Sequence, residues 1–292
     1  MIPTETLRRI RQIEIRTKHL VSDQFSGQYH SVFKGRGVEF SEVREYQIGD
    51  DTKTIDWKVT ARMGHPYVKR FVEERELTVM LVVDASASGL FGTLHRTRRD
   101  LAAEICAVLA FSAIRNNDRV GLIIFTDHVE KFVPPKKGTR HVLRLIRDLL
   151  YFKPQGRSTD LNEGLDYLNE VARHRSVVFV VSDFLTILPE RMLRVTCRRH
   201  DLICISITDP REMELPAIGL VHLRDLETGR DRLIDTSNPV ARKAFEANAR
   251  HAIEERNRLF RSIGIDHIPL SVGPSYVEPL IAFFRKRARR YR

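Results

Sequence analysis

The chain has 292 residues, room for one large domain or two smaller ones, and a 42% hydrophobic content that supports a sizeable core. The formal net charge is +11, but the last eight residues, Arg285 to Arg292, hold six basic side chains and no acidic one; with more than half of the excess in one tail, nucleic acid is not an expected partner. No stretch reads as a signal peptide or reaches the ~20 apolar residues needed to span a bilayer, and Cys106, Cys197 and Cys204 lack C-x-x-C spacing, so a cytoplasmic protein with reduced thiols is expected.

The N-terminus reads as an amphipathic, Arg-rich helix with Leu7, Ile10 and Ile13 on one side. Glycine and polar residues then punctuate short β-like pieces up to residue 75, with aromatics at Phe25, Tyr29, Phe33, Phe40, Tyr46, Trp57, Tyr67 and Phe71. Residues 1–75 are therefore read as one helix plus a small β-rich module, with Trp57 and its aromatic neighbours as module core. From residue 76 to 292 a second pattern takes over. Apolar runs at Thr78 to Asp84, Val120 to Thr126, Val177 to Ser182, Leu202 to Thr208 and His267 to Val272 are continuous rather than alternating. Such runs fit strands buried on both faces. Helical spacings separate them, at Leu101, Ile105 and Val108, at Val142, Leu145 and Leu149, at Leu161, Leu165 and Leu168, and at Val277, Leu280 and Phe284. Strand and helix in alternation predict an α/β fold, a doubly wound, mostly parallel sheet flanked by helices. The link around Asp127 is too short for a crossover, so Val129 to Val133 should be an antiparallel edge strand, ended by Pro134-Pro135. A hairpin insertion is expected over Gly219 to Thr236, turning at Thr228-Gly229.

The most chemical segment is Asp84-Ala85-Ser86-Ala87-Ser88, a D-x-S-x-S pattern at a strand end. Thr159, in Gly156 to Leu161, and Asp183, in Ser182-Asp183-Phe184, supply further oxygens. Each piece has a plain structural reading as well: Thr159 or Asp160 can N-cap the helix that follows, with Glu163 completing a capping box, and Asp183 can be a turn residue. In an open α/β sheet, however, all three segments can meet at the carboxyl ends of the central strands. Asp84, Ser86, Ser88, Thr159 and Asp183 would then form a hard-oxygen site for Mg²⁺ or Mn²⁺. The three pieces resemble the metal-ion-dependent adhesion site of von Willebrand factor A domains. Ligation dominated by hydroxyls leaves the ion electrophilic, and a protein partner's Asp or Glu carboxylate becomes the natural sixth ligand.

The region upstream carries Gly35 to Phe40, Arg44-Glu45-Tyr46, Gly49-Asp50-Asp51, Ile55-Asp56-Trp57, Ala61-Arg62 and Phe71 to Glu74. This ordered set resembles the family called domain of unknown function fifty-eight, whose members join such a segment to a von Willebrand factor A-like domain. Lys53 departs from it, where Arg is usual. The resemblance implies work with a MoxR-type AAA+ ATPase in chaperone-like maturation or activation of other proteins. Arg44, Asp50, Asp51, Asp56 and Arg62 read either as a buried ion-pair network fixing the module or as a charged surface for a partner. The expected function is a metal-dependent protein-binding adaptor and not an enzyme. There is no G-x-x-x-x-G-K-[ST], so ATP hydrolysis would fall to a partner. Two other functions compete: a metal-dependent hydrolase using Asp84, Asp183 and Asp50 or Asp51, and a nucleic-acid binder using the basic C-terminal tail.

Overall fold

Continuous apolar runs become the strands of one sheet because both of their faces are covered. In the computed structural model, which describes residues 10–15, 17, 29, 32, 33, 39–72, 76–92, 96–227 and 229–290, six strands line up in the order β10-β7-β6-β3-β4-β5. They are β3 (Thr78–Asp84), β4 (Arg119–Phe125), β5 (Val129–Lys136), β6 (Val177–Ser182), β7 (Asp201–Thr208) and β10 (Asp266–Ser271). All neighbouring pairs are parallel except β4 with β5. The chain starts in the middle at β3, builds outward through β4 and β5, then returns to the other side of β3 with β6. That reversal makes β3 the switch point of a doubly wound sheet. Val79 to Val83 of β3 are all buried, as the unbroken run requires.

Helices close both faces. α2 (Arg98–Arg115) starts at a reciprocal capping box between Thr97 and Asp100 and is buried nearly all round. Its alanines, Ala102, Ala103, Ala107 and Ala110, leave room for that. α3 (Thr139–Tyr151) lies beside it and buries Val142, Leu145, Ile146 and Leu149. On the other face α4 (Leu161–Val171), α5 (Glu190–Arg199) and α7 (Pro239–Ile263) put Leu161, Leu165, Leu168, Leu193 and Phe260 onto Met80, Val82, Ile123, Phe125, Val178 and Val180. Gly164 allows this closeness, since a Cβ there would stand 2.9 Å from the Phe125 ring. A one-turn helix, α6 (Pro210–Met213), follows β7, and α8 (Val277–Arg290) ends the described chain.

β5 is the antiparallel edge strand, but Pro134 and Pro135 do not end it. The strand runs on to Lys136, which pairs with Val120 after a register shift at Val120/Leu122. Pro134 and Pro135 fall in that shift, where they have no paired partner on β4, so neither breaks the ladder. The hairpin insertion is β8 (Leu220–Arg224) with β9 (Asp231–Asp235), which among the described residues pair only with each other.

The described chain divides into two compact units, one of Phe33–Leu77 and one that groups Met1–Val32 with Thr78–Arg292. The N-terminal boundary therefore falls elsewhere than an undivided 1–75 segment. Ile10, Ile13 and Tyr29 are buried in the larger unit, where the Tyr29 hydroxyl donates to Asp118 at 3.2 Å and its ring lies on Phe284. The small unit holds β1 (Glu39–Glu45) and β2 (Tyr67–Val72), antiparallel, with α1 (Trp57–Met63) between them. Leu7, Phe25, Gly35 to Val38, Glu73, Glu74, Thr228 and Arg292 lie outside the described residues.

Candidate functional site

The carboxyl ends of β3 and β6 form one crevice. Asp84 closes β3, and its Oδ1 accepts from the Ser86 amide at 2.9 Å. Its Oδ2 accepts from the Ser182 hydroxyl at 2.7 Å and faces the Thr159 hydroxyl at 3.3 Å. The Ser86 and Ser88 hydroxyls are 2.9 Å apart. Asp84, Ser86, Ser88 and Thr159 therefore stand together. Asp160 is the cap of α4, accepting from the Asn162 amide at 2.8 Å. Thr159 is thereby free of capping and turns its hydroxyl to Asp84.

Asp183 takes a different position. Its Oδ2 is ion-paired with buried Arg98, which also pairs with Glu212 of α6. Its Oδ1 accepts from the Leu185 amide at 3.0 Å. Both oxygens thus have a partner, and its charge reaches the crevice, where it raises the Asp84 carboxyl. The turn that places it is strained: Phe184 has φ +55 although it is not glycine. Burial of the Phe184 ring and the bond from its amide to Ser182 Oγ at 3.1 Å hold that conformation. Arg256 of α7 reaches the Asp183 carbonyl at 3.4 Å.

Burial, and then the nearby Asp183 carboxylate, push the Asp84 carboxyl up to about 6. A small cation relieves both effects. The donor set suits one: every candidate ligand is a hard oxygen. The Ser86 and Ser88 hydroxyls share a 2.9 Å hydrogen bond, a spacing that two adjacent ligands of an octahedral ion with bonds of about 2.05 Å would also take. Among the described residues no group of three His, Cys, Asp or Glu side chains could hold a metal; the hydroxyls are the further donors that a hard cation would use.

Residues without a sequence motif support the crevice. Glu130 accepts from the Gln155 and Gly156 amides at 2.7 and 2.8 Å and so pins the loop that carries Thr159. Gly156 is obligatory there, since a Cβ would lie 2.2–2.3 Å from Asp127 Oδ1 and Thr126 Oγ1. Arg99 bonds the Ala85 carbonyl at 3.0 Å and the Phe152 carbonyl at 3.1 Å. Glu227, from the hairpin, stands with its Oε1 2.9 Å from the Thr159 hydroxyl. Only capping and turn patterns mark these residues in the sequence, and such patterns do not specify their distant partners.

The other candidates lie in the small unit and do local work. Arg44 pairs with Asp50 at 2.6 Å. Asp51 caps a 3₁₀ turn through the Lys53 amide, and Asp56 caps α1 through the Lys58 and Val59 amides. The Asp50 carboxyl is held low, first by its Arg44 hydrogen bond. Arg62 is exposed on the last turn of α1. Trp57 is not module core: it is 70% exposed, because N-cap Asp56 places it at the solvent side of the first turn. These side chains form a surface and not a buried network. The C-terminal basic run is likewise not a free tail as far as residue 290. Arg287 is buried against Asp201 and Asp266, and Arg290 bonds Asp266 at 3.0 Å.

The sheet order and the oxygen-lined crevice define an open, doubly wound α/β protein. The chain belongs to the family described as "Protein of unknown function DUF58", whose family model matches residues 42–255. An uncharacterized protein of Mycobacterium tuberculosis (strain H37Rv) is 33% identical over 285 residues, covering 96% of this chain and 89% of that one. Among solved structures, the conserved hypothetical protein BatB from Bacteroides thetaiotaomicron matches with a TM-score of 0.48 at 14% identity, over 73% of this chain and 99% of that one. A von Willebrand factor type A protein from Catenulispora acidiphila matches with a TM-score of 0.38 at 10% identity, over 76% and 43%. Among the described residues no helix is long and apolar enough to cross a membrane.

Proposed function

We propose that this chain is a metal-dependent protein-binding adaptor of the von Willebrand factor A-like kind. The observation that carries the reading is the convergence of the Ser86, Ser88 and Thr159 hydroxyls with the Asp84 carboxylate at the ends of two neighbouring strands. Asp84, Ser86, Ser88 and Thr159 would hold Mg²⁺ or Mn²⁺, with Asp183 adding negative charge from behind. When bound, the ion offers a Lewis-acidic position to an incoming carboxylate. Asp84 anchors the site from the rigid core sheet, and Glu130 and Gly156 keep Thr159 in place. Hydroxyl ligands leave positive charge uncompensated, so the crevice selects a partner's Asp or Glu side chain. Binding rather than catalysis is the expected role, in the cytoplasm, and the MoxR-type AAA+ ATPase suggested by the family resemblance is the first partner to test.

Calorimetry with Mg²⁺ and Mn²⁺ tests the reading directly. Binding of either ion to the full chain is expected, and capture of a MoxR-type ATPase or its client should be lost in EDTA. Ion binding unchanged in Asp84→Ala would falsify the site.

A further inference from the structure

The hairpin brings a carboxylate of this same chain to the crevice. Among the described residues, β8 and β9 pair only with each other and form no part of the six-stranded sheet. Their base is pinned: the Thr236 hydroxyl donates to the Gly219 carbonyl at 2.6 Å and accepts from the Ile218 amide at 3.1 Å, and Thr236 is fully buried. Their tip is shaped by Asp225. It accepts from the Glu227 amide at 2.9 Å through its side chain and from the Gly229 amide at 2.8 Å through its carbonyl. Gly229 turns the chain with φ +70.

Asp225, Leu226, Gly229 and Arg230 are exposed, but Glu227 between them is half-buried. Its Oε1 is 2.9 Å from Thr159 Oγ1, which is 3.3 Å from Asp84 Oδ2. The Thr159 hydroxyl has one proton and can donate to only one carboxylate at a time. Two carboxylates converging on one hydroxyl repel each other unless a positive charge is shared between them.

We infer that Glu227 is a tethered internal occupant of the position that a partner's carboxylate takes, so that the hairpin holds the site closed until it is displaced. The inference rests on the metal-dependent reading above. It gives the hairpin a selective role. A tethered carboxylate competes at an effective concentration of about millimolar. Free small acids are therefore kept out, and a partner must displace the hairpin by adding contacts of its own.

The test uses the full chain loaded with Mn²⁺, with acetate as the carboxylate probe, in wild type, Glu227→Ala and Glu227→Gln. Calorimetry gives Mn²⁺ affinity, and water-proton relaxation reports coordination positions open to water. We expect Mn²⁺ to bind all three proteins, about tenfold more weakly in Glu227→Ala. Relaxation enhancement should rise in both variants, because water enters where the carboxylate stood. Acetate should reverse that rise in the variants at concentrations about tenfold below those that affect wild type. Equal relaxation and equal acetate response, with Mn²⁺ bound, would overturn the internal occupant and leave the metal reading standing. Failure of wild type and both variants to bind Mn²⁺ would overturn the metal reading, and the internal occupant with it.

Discussion

Arg98 shows how a single residue can be structural and still set the chemistry of a site. Its guanidinium is buried and pairs with Asp183 on one side and Glu212 on the other. Removing it strips two carboxylates of their ion-pair partner and leaves Asp183 only the more distant Arg256. Arg98→Ala is expected to lower stability by about 3–5 kcal/mol, as for other broken buried pairs, and denaturant unfolding measures it. Arg98→Lys should recover only part of the loss, because an ammonium cannot fork to both partners. Gly156 matters for a different reason. Gly156→Ala places a methyl carbon against Thr126 and Asp127, so the loop must move and carry Thr159 with it. Calorimetry on this variant should show Mg²⁺ binding weakened several-fold while the far-UV circular dichroism is unchanged. Full affinity in Gly156→Ala would mean that Thr159 is not a ligand.

At the scale of elements, stability lies in the contact between helices and the central strands. Leu165 of α4 is fully buried among the side chains of β3, β4 and β6. Leu165→Ala should cost about 2–5 kcal/mol by transfer and cavity terms, read as a lower denaturant midpoint with unchanged slope. The hairpin is the opposite case. Leu220 and Leu233 are largely exposed, so β8 and β9 should exchange amide hydrogens quickly while β3 and β6 stay protected. Equal protection in hairpin and sheet would show that the hairpin is locked to the body by more than its base and tip.

For the whole molecule, two neutral histidines, buried His200 and half-buried His267, couple the fold to pH. Burial, then the charges of Arg199 and Arg175, push His200 down to about 4. Its Nδ1 accepts from the Ser176 amide at 3.3 Å and so must carry no proton. Burial lowers His267 in the same way. A histidine in the unfolded chain titrates near ~6.5. Above that pH both states are neutral and the histidine contribution is fully present. As pH falls from 6.5 towards 4 the unfolded chain takes the proton first, and stability is lost. Nearly complete burial of His200 puts its share at about 1–3 kcal/mol. Urea unfolding at pH 7 and pH 4.5 should show the fall, and His200→Gln should reduce it; an identical fall in the variant would exclude His200 as its source.

The sequence alone determined the sheet, because strands buried on both faces must be apolar throughout and such runs are visible without a partner. It also marked Asp84, Ser86, Ser88 and Thr159, since a ligand crevice in a doubly wound sheet has to lie at strand ends. What it could not determine depends on contacts between residues far apart in the chain. The spacing of Asp183 gives no sign of its partner Arg98, and only packing across 85 positions brings the two together. Trp57 has the composition of a core residue, yet the cap at Asp56 turns it to solvent. Arg287 looks like one charge of a basic tail, yet α8 lays it between Asp201 and Asp266. Glu227 carries only its place beside a hairpin turn as a local signal. Its place beside Thr159 follows from where the hairpin base is pinned, and a polar side chain's long-range partner is set by geometry that the residues around it do not encode.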